Sequence, residues 1–139
     1  MFVLSIVTPE KICYESEVQS LVVPGTEGYM GVLSNHAPLI TALIPGKIEF
    51  RDADEKVNLM AVSGGFLEVS HNRATLLADA VERADEIDIE RAQVAYDREK
   101  KRLISAGKDE TDIDMPSVRA AIERAANRIR ISKEQKKLN

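Results

Sequence analysis

Few side chains in this sequence could do chemistry, and they are scattered. There are two histidines, His36 and His71, and one cysteine, Cys13. A lone cysteine makes neither an internal disulfide nor a zinc site, and two histidines do not supply a metal-ligating cluster. Cys13, between Ile12 and Tyr14, reads as a small strand residue. His36 has Ser34 two residues away, but no pattern of nucleophile, base and orienting acid accompanies it. Three roles stay open for it: ordering its loop, touching a partner, or acting as a base. His71, followed by Asn72, falls in a hairpin turn. Paired carboxylates in a strand-end geometry are also missing, so an enzyme is the least supported class.

The densest candidate is VVPGTEGYMGVLSNHAP, residues 22 to 38, which holds three of the seven glycines and two of the five prolines. A phosphate-cradling loop would end in Gly-Lys-Ser/Thr, and no lysine falls within the stretch. A dinucleotide fingerprint would sit in a βαβ unit, whereas Gly25, Gly28 and Gly31 lie between strands. Glycine at every third residue fits repeated tight turns or a bulge, with Tyr29 and Met30 presented at the tip. An exposed aromatic and a methionine between glycines suit contact with another protein.

Two different periodicities surround this stretch. Up to residue 84, short apolar runs alternate with polar residues and are broken by Pro, Gly and Asn signals. Strands are expected at 2–7, 11–14, 18–23, 38–44, 47–51, 56–62, 65–70 and 73–79, with breakers such as Pro45-Gly46, Gly64-Gly65 and His71-Asn72. That spacing predicts an antiparallel β-sandwich or flattened barrel, and leaves no room for the crossover helices of a parallel sheet. From residue 85 the period becomes helical. Helices are expected over 85–106 and 116–131, with Asp85 and Asp88 as a capping pair, Gly107 as a stop and Pro116 near a start. Val118, Ile122, Ala125 and Ile129 form a stripe, and the abundant alanines let two helices approach closely as an antiparallel hairpin. The final ISKEQKKLN reads as a polar, frayed end. The expected domains are therefore a sandwich, 1–84, and a helical hairpin, 85–139. A hairpin of this size has little core of its own and must dock on something.

Charge is unevenly spread as well. The formal net charge is -4. Residues 1–84 carry 6 basic and 11 acidic residues, and residues 115–139 carry 7 basic and 2 acidic. This is not a protein built to coat nucleic acid, and aromatics at 4% give no stacking platform. The N-terminus lacks a basic leader and no apolar run approaches the ~20 residues that span a bilayer. A soluble, cytoplasmic chain is the expectation, docked on a membrane only through a protein partner.

VVPGTEGYMGVLSNHAPLITALIPG resembles the signature of the epsilon subunit of the F-type ATP synthase. LSIVTPEKICYESEVQSLVVPG, VSGGFLEVSHNRATLLADAVERADEID and the sandwich-then-hairpin layout fit the same family, so the resemblance covers nearly the whole chain. It implies a non-catalytic subunit of the central rotor stalk. The sandwich would bind the gamma subunit and the membrane ring of c subunits, coupling ring rotation to the stalk. The ring contacts would centre on Glu27, Tyr29, Met30 and His36. Other members often carry an acidic residue where Tyr29 stands, so an aromatic or hydroxyl contact would replace a charged one. The hairpin would fold against the sandwich or extend to the alpha and beta subunits and block ATP hydrolysis. Its extended contacts would be Arg119, Arg124, Arg128, Arg130 and Lys133, whose charge suits an acidic surface. The resemblance also implies a peripheral location at the cytoplasmic face of a bacterial cell membrane. The isolated chain is expected to be monomeric.

Some bacterial members bind ATP in the folded hairpin through a pattern similar to Ile87-Asp88-Ile89-Glu90-Arg91-Ala92. Arg98 follows Arg91 by two turns, and Arg124 and Arg128 share a face. The resemblance therefore implies ATP as a regulatory ligand, with Arg91, Arg98, Arg124 and Arg128 on the triphosphate and Glu82 or Asp88 at the adenine end or ordering the arginines. Magnesium would travel with the nucleotide, and no cofactor is required. Arg119, about 140° around the helix from Arg124, does not join that face. Local acids such as Asp88, Asp97 and Glu123 offer the plainer alternative of surface ion pairs. Two other classes stand beside the rotor subunit: a standalone ATP-sensing module, and a purely structural stalk subunit whose hairpin binds no nucleotide.

Overall fold

A computed structural model describes residues 1–106 and 115–138. Nine strands come first: β1 (Phe2–Val7), β2 (Ile12–Gly25), β3 (Gly28–Val32), β4 (Leu39–Leu43), β5 (Gly46–Asp52), β6 (Val57–Val62), β7 (Gly65–Ser70), β8 (Arg73–Ala78) and β9 (Val81–Arg83). A turn of 3-10 helix at Ala84–Glu86 leads to α1 (Ile89–Ala106), and α2 spans Met115–Leu138. The strands run in the order β1-β8-β7-β4-β2-β5-β6-β9, with β3 beside β2. Because β1 also pairs with β2, the path β1-β8-β7-β4-β2 closes on itself. The result is the expected sandwich or flattened barrel followed by a helical hairpin. The β1–β8 pair is parallel, whereas every other pairing is antiparallel.

Period-two alternation explains the layers. Leu4, Ala74 and Val69 are matched across β1, β8 and β7, as are Ile6, Leu76 and Leu67, and all six are buried. They join Leu21, Val23, Ile48, Phe50 and Met60 in one main core. The opposite face of β7 and β8 stays open: Phe66 pairs with Leu77, and both are exposed. Gly65, at φ +144°, starts β7 where a side chain would sit 2.0 Å from the carbonyl of Leu77. Only glycine permits that approach.

The glycine stretch differs from its expected form. Residues 12–25 are one long strand rather than two, and Gly28–Val32 is a strand. Gly25 pairs with Gly28, so the tip of this hairpin is Thr26-Glu27. Tyr29 and Met30 therefore lie on β3, opposite Pro24 and Val23, instead of at a loop tip. Period-two sequence reading fails here because glycines at 28 and 31 give no side chains to alternate. The short β9, at the edge of β6, was likewise outside the expected strands.

In the hairpin, Asp88 is the N-cap of α1: its Oδ1 accepts the Arg91 N–H at 3.1 Å. Asp85 lies in the preceding 3-10 turn. Pro116 is the second residue of α2, where its missing N–H costs nothing. Gly107 lies outside the described residues. The larger correction concerns the other end. α2 continues to Leu138, well past residue 131, and Ile131 and Ser132 are buried. The supposed frayed end is a docked segment.

Candidate functional site

The hairpin docks along the β5-β6-β9 edge of the sandwich. Ile131 is fully buried in a cluster with Leu59, Ala61, Ala84 and Ile87 that is separate from the main core. This patch is small, two of its five members being alanines, so polar contacts carry much of the docking geometry. Arg128 on α2 grips Glu82 on β9 with both prongs of its guanidinium, Nε to Oε1 at 2.8 Å and Nη2 to Oε2 at 3.0 Å. Asn127 Nδ2 donates to the Gly46 carbonyl at 3.1 Å, and Lys47 Nζ donates to Glu134 Oε1 at 2.8 Å.

Gln135 makes the most specific contact. Its Oε1 accepts the Leu59 N–H at 2.9 Å and its Nε2 donates to the Val57 carbonyl at 3.3 Å. β9 pairs with β6 only from Met60 to Val62. The side-chain amide of Gln135 thus supplies, just beyond the end of β9, a donor and an acceptor of the kind a strand backbone would offer.

The residues expected to hold a nucleotide fall into separate groups. Glu82, Arg124 and Arg128 line one cleft of about 760 Å³ between α2 and the β6–β9 edge, together with Arg130, Glu123, Asn127 and Ser63. A volume of that size falls in the ordinary range for small-molecule sites, roughly 300–1,000 Å³. Arg124 is exposed at this cleft, whereas Arg128 is held by Glu82. Ile87 and Ala92 are buried, Asp88 caps α1, and Arg91 is exposed at the start of α1. Arg98 lines a different hollow with Val94, Asp97 and Lys101, and lies 3.6 Å from the buried Glu99. Arg119 is exposed on α2. Arg130 Nη2 donates to Asn127 Oδ1 at 2.8 Å, and Lys133 lines a groove between the helices with Tyr96 and Ile129.

The residues expected to face a ring of subunits are spread along β3: Glu27 in the turn before it, Tyr29 and Met30 on it, and His36 in the loop after it. Glu27 is exposed at the β2–β3 turn, and Met30 packs half-buried on the main core. Tyr29 is exposed, and its hydroxyl accepts the Lys47 N–H at 3.2 Å. His36 Nδ1 sits 2.7 Å from the Ala37 carbonyl. A carbonyl only accepts, so Nδ1 carries the proton and Nε2 is left as an acceptor in the neutral ring. The same loop is tied down by the Asn35 N–H, which donates to Asn72 Oδ1 at 2.8 Å. Among the described residues no group of three or more His, Cys, Asp or Glu is placed to hold a metal ion, and no helix is long and apolar enough to cross a membrane.

Lys47, Asn127, Glu134, Gln135 and Ile131 were not singled out in the sequence. A signal for the last turns was available: Val118, Ala125 and Ser132 recur every seven residues, share one helix face and are all buried.

Comparison with known proteins adds to this geometry. Residues 1–84 match the family described as ATP synthase, Delta/Epsilon chain, beta-sandwich domain, and residues 85–133 match ATP synthase, Delta/Epsilon chain, long alpha-helix domain. The chain is 45% identical over 127 residues to the ATP synthase epsilon chain of Desulforamulus reducens, covering 91% of this chain and 93% of that one. It is 41% identical over 133 residues to the ATP synthase epsilon chain of Syntrophomonas wolfei, covering 96% and 95%. In fold it is similar to a chain in the Euglena gracilis mitochondrial ATP synthase structure of OSCP/F1/c-ring, with a TM-score of 0.68 at 20% identity, covering 98% of this chain and 79% of that one.

Proposed function

We propose a role from one premise: the chain belongs to the family of ATP synthase epsilon chains. Such chains are non-catalytic components of the synthase. In our reading this one joins the gamma subunit to the c ring in the central stalk, and its hairpin acts as a brake on ATP hydrolysis. The similar fold in the Euglena assembly of F1 and c-ring supports that setting. The open apolar face around Ile40, Phe66 and Leu77 is the surface offered to gamma, since apolar side chains so exposed on one sheet face favour burial by a partner. Glu27, Tyr29, Met30 and His36 face the ring. The location is peripheral, at the cytoplasmic face of a bacterial membrane.

The observation that carries the brake is the way α2 is held. A five-residue apolar cluster and a handful of polar contacts fasten the whole helix to the sandwich. An element fastened through one small, separate cluster can leave as a unit while the sandwich stays folded, which a two-state switch needs. On leaving, Arg128 loses Glu82 and joins Arg119, Arg124, Arg130 and Lys133 as a basic surface for the alpha and beta subunits.

ATP bound in the cleft at Arg124 and Arg128 would favour the docked hairpin, because a ligand shifts an equilibrium toward the state it binds. Arg124 is free to meet phosphate oxygens there, and the purine would lie toward Glu82. Arg91 and Arg98 would join through a rearrangement of the hairpin, and magnesium would accompany the phosphates. A second reading has its own support: Arg128 already has a bidentate carboxylate partner, which suits a structural stalk subunit without nucleotide. Calorimetric titration of the isolated chain with ATP, ADP and GTP, repeated on Arg91→Ala and Arg124→Ala, separates the two. Saturable ATP binding that both substitutions abolish supports the sensor. No heat, with unchanged amide shifts at millimolar ATP, leaves the structural reading.

A further inference from the structure

The Gly46–Lys47 peptide group is held from two sides by parts of the chain with different expected partners. Its carbonyl accepts from Asn127 Nδ2 on α2 at 3.1 Å. Its N–H donates to the Tyr29 hydroxyl on β3 at 3.2 Å. The two groups belong to one planar unit, so tilting one tilts the other.

The local backbone explains why a side-chain hydroxyl is used. β2 and β5 pair as far as Val22 and Glu49, and Lys47 lies two residues beyond that end. The nearby Pro24 carbonyl is already taken by the Ile44 N–H at 2.9 Å. Tyr29, opposite Pro24 on β3, reaches across β2 to the start of β5. Gly46 makes the approach possible: a side chain there would begin 2.9 Å from Pro24 Cβ and 3.1 Å from the Tyr29 hydroxyl. Lys47 then reaches α2 a second time through its ammonium, on Glu134.

We propose that Tyr29 is a positioning residue for the docked hairpin, and that the Gly46–Lys47 peptide couples the glycine-rich β2–β3 end of the sandwich to the hairpin's release. Tyr29 holds the peptide at the tilt Asn127 requires. Drawing Tyr29 off Lys47 weakens the Asn127 contact, and undocking α2 loosens Tyr29 in return, because such coupling is reciprocal. The Tyr29 hydroxyl hydrogen is still available to an acceptor on a partner. A partner that accepts from it in place polarises the hydroxyl, strengthens the Lys47 bond and favours the docked hairpin. The link to a ring-side partner rests on the role proposed above, whereas the coupling within the chain stands without partner or nucleotide.

Amide hydrogen exchange on the full chain tests it, in the natural protein, Tyr29→Phe, Asn127→Ala and the double variant. Tyr29→Phe removes one hydroxyl and should raise the opening equilibrium of α2 amides measurably, up to the roughly 2–10-fold that the Asn127 hydrogen bond it positions is worth. The double variant should open less than the product of the single effects, and Asn127→Ala should speed exchange at the Lys47 amide. Unchanged α2 exchange in Tyr29→Phe overturns the proposal. So does an increase spread equally over β1, β7 and β8, or effects that simply multiply. Because no partner or nucleotide is present, a null result here leaves the stalk and ATP readings standing, and their failure leaves this coupling intact.

Discussion

Arg128 on α2 and Glu82 on β9 are joined by two hydrogen bonds, at 2.8 and 3.0 Å, across 46 residues of chain. This pair fastens the hairpin to the last strand of the sandwich. Its side chains are 29% and 35% exposed, so solvent screens part of its attraction. Glu82→Gln should weaken hairpin docking by roughly 0.5–1.5 kcal/mol. Faster amide exchange confined to the hairpin, with the β7–β8 amides unaffected, is the expected outcome.

Ile131→Ala tests the apolar half of the dock. Ile131 is fully buried against Leu59, Ala61, Ala84 and Ile87. Truncation should cost about 2–4 kcal/mol of docking free energy, through lost burial and the cavity left behind. Limited proteolysis should cut within the hairpin at much lower protease, while a stable fragment near residues 1–84 survives. Equal sensitivity of both parts would show that the hairpin is needed for the sandwich to fold.

Gln135→Leu keeps the size of the side chain and removes both hydrogen bonds to β6. If α2 stays docked, the Leu59 N–H and Val57 carbonyl lose their partners, at about 1–3 kcal/mol. Gln135→Glu keeps an acceptor for Leu59 and loses the donor to Val57, so its effect should be smaller. Exchange at the Leu59 amide separates the variants: fastest in Leu, intermediate in Glu, slowest in the natural chain.

The exposed sheet face should bind gamma without supporting the fold. Phe66→Ser and Leu77→Ser remove apolar surface that is already in water, so the melting temperature should shift little. Gamma binding should fall about ten-fold or more, as for central apolar contacts at an interface. A fall in melting temperature without a change in gamma binding would move that docking surface elsewhere.

Asp52 organises the β5–β6 turn. Its carboxyl is held below its ordinary 3.8, first by the hydrogen bond from Asn58 and then by the N–H groups of Lys56 and Asp54. A depressed carboxyl stabilises the folded state fully above its unfolded value, and that contribution is lost as pH falls through the lower folded value. Protection of the Lys56 amide should therefore drop below about pH 4. In Asp52→Asn that acid-dependent drop should be absent.

Part of the candidate site could be read directly from residue types. Asp88 as a cap, the His71-Asn72 turn with φ of 51° and 55°, and Arg124 and Arg128 on one face all follow from local rules. Tyr29 on a strand did not follow, because its neighbouring glycines remove the alternation that marks strands. The grouping of Glu82, Arg124 and Arg128 at one cleft, apart from Arg98, depends on how α2 lies on the sandwich, and no spacing within a helix encodes that.

Sequence by itself determined the order of a β-sandwich and a helical hairpin, because side-chain period is a local consequence of backbone geometry and changes near residue 84. It also determined the opposite charges of the sandwich and of residues 115–139. Tertiary structure alone decided what ISKEQ docks on. Gln135 and Glu134 look like solvated polar residues until their partners are known, and those partners, the Leu59 N–H and the Lys47 ammonium, lie 76 and 87 residues away. A backbone N–H left open at a strand edge has no sequence signature, so only the folded chain could show what fills it.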